Sequence, residues 1–108
     1  FDLCRRNFLQ VTVLREPRKV VLWAGQRGGR PWLQWLKYSG HRVVAVLDIT
    51  SAKERNRTPV LPPTALAELD FDLLLVAVGT RGARQKIRRE IARLRPDLTE
   101  GRDWWALL

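Results

Sequence analysis

Two glycine-rich segments and one aspartate are the parts of this chain whose residue types and spacing could do chemistry. The first segment, Ala24, Gly25, Gln26, Arg27, Gly28, Gly29 and Arg30, follows an apolar run of Val20, Val21, Leu22 and Trp23. The second, Gly79, Thr80, Arg81, Gly82, Ala83 and Arg84, follows the apolar stretch from Asp72 to Val78. Glycine lets a backbone turn sharply and approach a phosphate, and the free N–H groups of a helix opening just beyond it present partial positive charge. Asp48 closes a third apolar run roughly twenty residues after the first glycines, where dinucleotide-binding folds place an acid that accepts ribose hydroxyls. The chemistry indicated is the holding of a nucleotide. Its pyrophosphate would lie among Arg27, Arg30, Arg81 and Arg84.

Each of these features also has a plainer reading. The glycines could form tight strand-to-helix turns with no ligand, and Asp48 could merely cap its strand. In the frame nearest to G-x-G-x-x-G, Ala24 stands at the first glycine position, Gln26 at the second and Gly29 at the third. Arginines at helix starts oppose the helix dipole. A negative group therefore belongs beside them, either a ligand or a carboxylate of a neighbouring domain, unless water alone solvates them.

No catalytic constellation emerges. His41 follows Gly40 and reads as a solvated turn residue. Asp70 and Asp72 form a D-x-D pair, a metal-holding pattern in some transferases, but they stand at the entrance of an apolar strand, away from the glycine turns. Cys4 has no base beside it and reads as a packed apolar residue. With one cysteine and one histidine in the chain, neither an internal disulfide nor a zinc site is expected.

The elements that must position these residues follow from periodicity. Residues 1–14 place Leu3 or Cys4, Phe8 and Val11 at helical spacing, a short helix or linker before Pro17. The first strand is Lys19 to Trp23. A helix from Arg30 to Ser39 carries Trp32, Leu33, Trp35 and Leu36, with Pro31 in its first turn and Gly40 ending it. Arg42 to Asp48 is a near-continuous apolar run, as in a parallel strand covered on both faces. Ile49 to Arg57 is polar and reads as a loop. Thr58 to Pro63 is a short edge strand at most, and Thr64 to Leu69 a short helix with Thr64 as its cap. Asp72 to Val78 is the most apolar strand. Thr80 to Arg95 is a helix with Ala83, Ile87, Ile91 and Leu94 on one face, and a last strand runs from Asp103 to Leu107. Strands alternating with helices predict a small Rossmann-like doubly wound α/β domain, a mainly parallel sheet of about five strands with helices on both faces.

Length and composition set bounds. The 108 residues make one domain with one core, and 45% hydrophobic content is ordinary for a folded chain. The sequence opens at Phe1, which suggests a piece of a longer protein. No apolar run is long enough to span a membrane, no signal pattern is present, and a cytoplasmic location is expected. The net charge of +9 comes from 16 arginines against 4 lysines. It could attract nucleic acid, phosphorylated ligands, anionic lipid or an acidic surface, though arginine-for-lysine bias also arises from codon composition. The basic face of the last helix, Arg84 to Arg95, lacks interleaved aromatic residues for stacking on bases. It reads as a solvated face, and nucleic acid as the weaker alternative partner.

The succession VVLWAGQRGGR, GHRVVAVLDI, PVLPP, DLLLVAVGTRGARQKIR and EGRDWW resembles the C-terminal Rossmann-like domain appended to some bacterial family 2 glycosyltransferases. In that family the first turn usually reads W-G-A-G-x-x-G-R, the later strand ends V-A-V-G before G-A-R and I-R, and the tail reads E-G-R-D-F-W. The resemblance covers nearly everything from Lys19 onward. By it, Trp23, Gly29, Arg30, Asp48, Gly79, Gly82, Ala83, Arg84, Ile87, Arg88, Glu100, Gly101, Arg102, Asp103 and Trp105 occupy motif positions. It implies that sugar-transfer chemistry resides in a catalytic domain upstream, to which residues 1–17 link. Residues 18–108 would then be an accessory module that binds a nucleotide or nucleotide-sugar or packs on that domain. Ala24 and Gln26 replace the glycines that admit a dinucleotide pyrophosphate, and a glutamine there crowds the phosphate. A small NAD(P)-binding domain is thus the weakest of the alternatives.

Overall fold

The structure, a computed structural model, describes residues 18–24, 29–48, 54–55, 58–78 and 82–107. In chain order the elements are β1 (Lys19–Ala24), α1 (Gly29–Tyr38), β2 (Arg42–Leu47), β3 (Glu54–Arg55), β4 (Thr58–Leu61), a 3-10 helix (Pro63–Glu68), β5 (Leu73–Ala77), α2 (Ala83–Leu94) and β6 (Trp104–Ala106). The expected helix over residues 1–14 lies outside the described residues.

The apolar runs become the middle of a six-stranded sheet, ordered β3-β4-β2-β1-β5-β6. The pairs β4-β2, β2-β1, β1-β5 and β5-β6 are all parallel, and only β3 runs antiparallel, against β4. Such strands are covered on both faces, which is why β1 and β5 are apolar almost throughout rather than alternating. On one face Val20, Leu22, Val46, Leu73 and Leu75 meet Trp32, Leu33 and Leu36 of α1. On the other, Val21, Trp23, Leu47, Leu74 and Val76 meet Ile87 and Ile91 of α2 together with Leu66 of the 3-10 helix. A bulge opposite Val20 and Val21 lets β2 skip a residue, so that Val43 and Val46 share the α1 face although their numbers differ in parity. Trp23, Trp32 and Trp104 are buried and Trp35 and Trp105 pack partly buried against the α1-side core, so the described fold itself employs all five tryptophans.

Local chemistry sets the boundaries. α1 ends in a Schellman closure: Gly40 adopts φ 88°, its N–H donates to the Lys37 carbonyl at 3.1 Å, and the His41 N–H donates to the Leu36 carbonyl at 3.1 Å. α2 starts at Ala83, after Gly82 at φ 79°. The segment after β4 is 3-10 rather than α-helical, and Thr64 is not its cap. Pro62 holds the cap position without a side-chain hydrogen bond, and two successive prolines deny the first turn its donors. The segment read as a loop contains β3, which exists only through its pairing of Glu54 with Pro59 and Arg55 with Thr58.

At the amino ends of the strands, Asp72 accepts the Lys19 N–H at 3.0 Å and Asp70 lies 3.5 Å from Lys19 Nζ. The D-x-D pair thus fastens the start of β1. His41 is buried rather than solvated: only 8% of it is exposed, and its Nδ1 accepts the Arg18 N–H at 3.2 Å. Among the described residues no helix is long and apolar enough to cross a membrane.

Candidate functional site

β1 lies between β2 and β5, and the winding of the sheet reverses there, with β2 and β4 to one side and β5 and β6 to the other. In open α/β sheets the ligand crevice forms beyond the carboxyl ends of the strands at such a reversal. Three carboxyl ends are level at this point, since Ala24 registers with Ala77 and Trp23 with Leu47. Asp48 is the next residue of the β2 chain, is buried, and donates its backbone N–H to the Leu61 carbonyl at 3.0 Å. The buried acid therefore stands at the end of the strand adjacent to β1.

Both helices that follow β1 and β5 begin at this same edge of the sheet. Gly29 is the first residue of α1, and Gly82 precedes α2. Neither helix has an acid in its first turn, and α2 has no side-chain cap hydrogen bond. The first-turn N–H groups of α2 thus lack the side-chain oxygen that ordinarily satisfies one of them. Arg30 and Arg84 lie exposed at the two helix starts. Together, a level strand edge and two helix N-termini, with an arginine in the first turn of each helix, suit an anion at the β1-β5 reversal. Gly25, Gln26, Arg27, Gly28, Gly79, Thr80 and Arg81 lie outside the described residues.

The tail motif has a structural explanation that the sequence did not announce. Arg88 on α2 makes a two-pronged ion pair with Glu100, Nε to Oε1 and Nη2 to Oε2, each at 2.9 Å. Those hydrogen bonds hold the Glu100 carboxyl below its usual range, with the Arg84 charge adding to the effect. Asp103 Oδ2 accepts the Thr99 N–H at 2.8 Å and the Arg102 guanidinium at 2.9 Å, and Arg102 chiefly lowers that carboxyl. Between them Gly101 turns at φ 84° and donates to the Trp104 carbonyl at 2.8 Å. The E-G-R-D run is thus a closed turn, tied to α2 at one end, that delivers Trp104 into the core. A side chain at Gly101 would meet open space but a left-handed backbone, so Gly101→Ala is expected to lower stability by about 1 kcal/mol, read from chemical denaturation. A loss below a few tenths would show that the turn tolerates other backbone shapes.

The basic face of α2 is only partly solvated. Besides Arg88, Arg93 pairs with Glu90 at 2.7 Å, and Arg95, only 23% exposed at its side chain, pairs with Asp97 at 3.0 Å. Arg95 also donates to the Leu66 and Leu69 carbonyls at 3.3 and 3.0 Å. The signals that could have found these contacts are weak. The Arg88–Glu100 partners stand 12 positions apart and the Arg95–Leu66 partners 29, beyond the reach of helical spacing.

The chain is similar to a solved crystal structure of RSP in complex with beta-NADH, with a TM-score of 0.56 and 15% sequence identity over 97% of this chain and 52% of that one. This chain accordingly spans about half the length of that neighbour. The likeness shows a Rossmann-like fold. No protein-family model matches the chain, and no curated protein matches it.

Proposed function

We propose that this chain is a nucleotide-binding Rossmann-like domain that holds a nucleoside diphosphate group at the β1-β5 reversal and serves as an accessory module beside a bacterial glycosyltransferase catalytic domain. The observation that carries the binding site is the meeting, at one edge of the sheet, of three level strand ends, the starts of α1 and α2, and the buried Asp48. The diphosphate would sit against the first turns of both helices, flanked by Arg30 and Arg84, with the ribose toward Asp48. The neighbour of the same fold, described as a complex with beta-NADH, supports a dinucleotide. The transferase-like motifs support a nucleotide-sugar and the accessory role, with residues 18–108 as the module and residues 1–17 as the link. Both ligands share the nucleoside diphosphate. Among the described residues, the pairing of Arg88, Arg93 and Arg95 with carboxylates leaves Arg84, Lys86 and Arg89 as the remaining cations of α2, which favours a compact anion over a nucleic-acid backbone.

Thermal melting at fixed salt with NADH, NADPH, UDP-sugars and dTDP-sugars tests this. A ligand at a hundred times its dissociation constant adds about 2.7 kcal/mol, and one of these four classes is expected to do so. Asp48→Asn keeps the shape and removes the charge; measured from its own baseline, its ligand-induced shift is expected to shrink by more than half. No shift with any nucleotide, or an undiminished shift in Asp48→Asn, would overturn the reading. A preference for UDP- or dTDP-sugars would support the transferase role, and a preference for NADH would separate binding from that role.

A further inference from the structure

The imidazole of His41 is built into the place where the chain enters the sheet. His41 follows the Schellman closure of α1, and its own N–H is held by the Leu36 carbonyl at 3.1 Å, so its backbone is fixed by the helix before it. On the facing segment, the Arg42 N–H donates to the Arg18 carbonyl at 3.0 Å, and the Arg18 N–H donates to His41 Nδ1 at 3.2 Å. Arg18 is therefore gripped on both its carbonyl and its N–H, once by backbone and once by a titratable ring. For Nδ1 to accept, its lone pair must be free and the ring proton must reside on Nε2. A second proton, on Nδ1, would set two donors against each other and leave the Arg18 N–H without that acceptor.

The surrounding charges disfavour an imidazolium. Arg18, just before β1, and Arg42, the first residue of β2, are exposed cations, and Lys37 stands in the last turn of α1. The carboxylates of this end, Asp70 and Asp72, are engaged by Lys19. We propose that His41 is a pH-operated latch on the entry of the chain into β1, closed by the neutral ring and opened by its protonation. Burial first, and the Arg18 charge second, hold the ring below its ordinary value of 6.5. The latch is thus closed at neutral pH and opens on acidification. The unfolded chain takes up its proton at the ordinary value, before the folded one does. Stability from the neutral ring is therefore complete above 6.5 and declines as pH falls through the folded value. Opening releases the Arg18 N–H just before β1, while the ladders of β1 with β2 and β5 remain.

Amide NMR of the 108-residue chain, from pH 8 down to the pH at which the His41 ring resonances show full protonation, tests the latch through the hydrogen-exchange protection of Arg18, referenced to Val21 inside β1. Protection at Arg18 is expected to fall at least tenfold, with a midpoint matching the titration of the His41 ring followed by its own carbon resonances, while Val21 stays protected. In His41→Asn, whose side-chain oxygen can accept the same bond but does not titrate, Arg18 protection is expected to stay flat. Titration of the ring without loss of protection at Arg18, or a midpoint displaced from it, would overturn the proposal in the wild-type chain alone, whether or not the variant folds. The same loss in a folded His41→Asn would overturn it as well.

Discussion

Leu22→Ala is expected to cost the fold about 3 kcal/mol, within the range seen when a fully enclosed leucine is truncated. Leu22 is wholly buried at the middle of β1, in register with Val46 of β2 and Leu75 of β5. Its side chain belongs to the face on which Trp32, Leu33 and Leu36 of α1 close down. The strands on either side of β1 are tied by their own hydrogen bonds and cannot move in to fill the space. The lost transfer energy is thus joined by the energy of a cavity, and about 3 kcal/mol is a large share of the 5–15 kcal/mol that holds a domain of this size together. Urea denaturation should show the midpoint falling with the slope nearly unchanged. Arg89→Ala, exposed on α2, should change it by less than about 0.5 kcal/mol. A cost below about 1 kcal/mol for Leu22→Ala would mean that the two helical layers pack loosely on β1.

The second large effect is expected at a charged residue. Arg95→Ala should cost about 2 kcal/mol, because one guanidinium there closes contacts from three directions. Nη1 donates to the Leu66 and Leu69 carbonyls, at 3.3 and 3.0 Å, capping the end of the 3-10 helix. Nε and Nη2 meet the two oxygens of Asp97 at 3.1 and 3.0 Å, and the guanidinium carbon lies 5.3 Å from the centre of the Phe71 ring. Hydrogen bonds from a charged donor contribute roughly 1.5–3 kcal/mol each when well sheltered. The exposed Asp97 limb is worth far less than the limb on the carbonyls, so the carbonyl limb supplies most of the loss. Arg95→Lys should recover less than half of the loss, since an ammonium cannot span both carbonyls and the carboxylate in one plane. The midpoints of urea denaturation for the two variants, compared with the wild type, decide the matter. Equal stability of all three would show the guanidinium to be a passive surface group.

How far the sequence carried the account depends on what made each element. β1, β2 and β5 were legible because a strand covered on both faces must be apolar along its whole length, and the boundaries needed only small adjustment. α1 and α2 were legible because Leu33 with Leu36, and Ile87 with Ile91, fall on one helical face. β3 was not, because Glu54 and Arg55 have no pattern of their own and become a strand only when β4 offers them partners. The 3-10 form of Pro63–Glu68 was hidden because propensity alone favoured a helix there and said little of the donors the prolines remove. His41 and Arg95 were misread for one reason: a polar type next to a turn or on a basic helix looks solvated until the distant groups that cover it, Arg18 in one case and Leu66 with Leu69 in the other, come into place. The candidate site was legible as a set of strand ends and helix starts. The placing of Asp48 at the end of β2 beside β1 follows from the strand order, which the alternation of elements restricts to few choices.

The proposed nucleotide site is the carboxyl edge of the sheet at the reversal between β1 and β5. The most direct measurement is amide NMR of the chain titrated with NADH and, separately, with a UDP-sugar. Saturable shifts are expected at Ala24, Gly29, Asp48, Val78 and Gly82, with Arg18, Arg42 and Leu73 at the opposite ends of the same strands unmoved. Shifts confined to the amino ends, shifts spread along the outer face of α2, or none at millimolar ligand would contradict it.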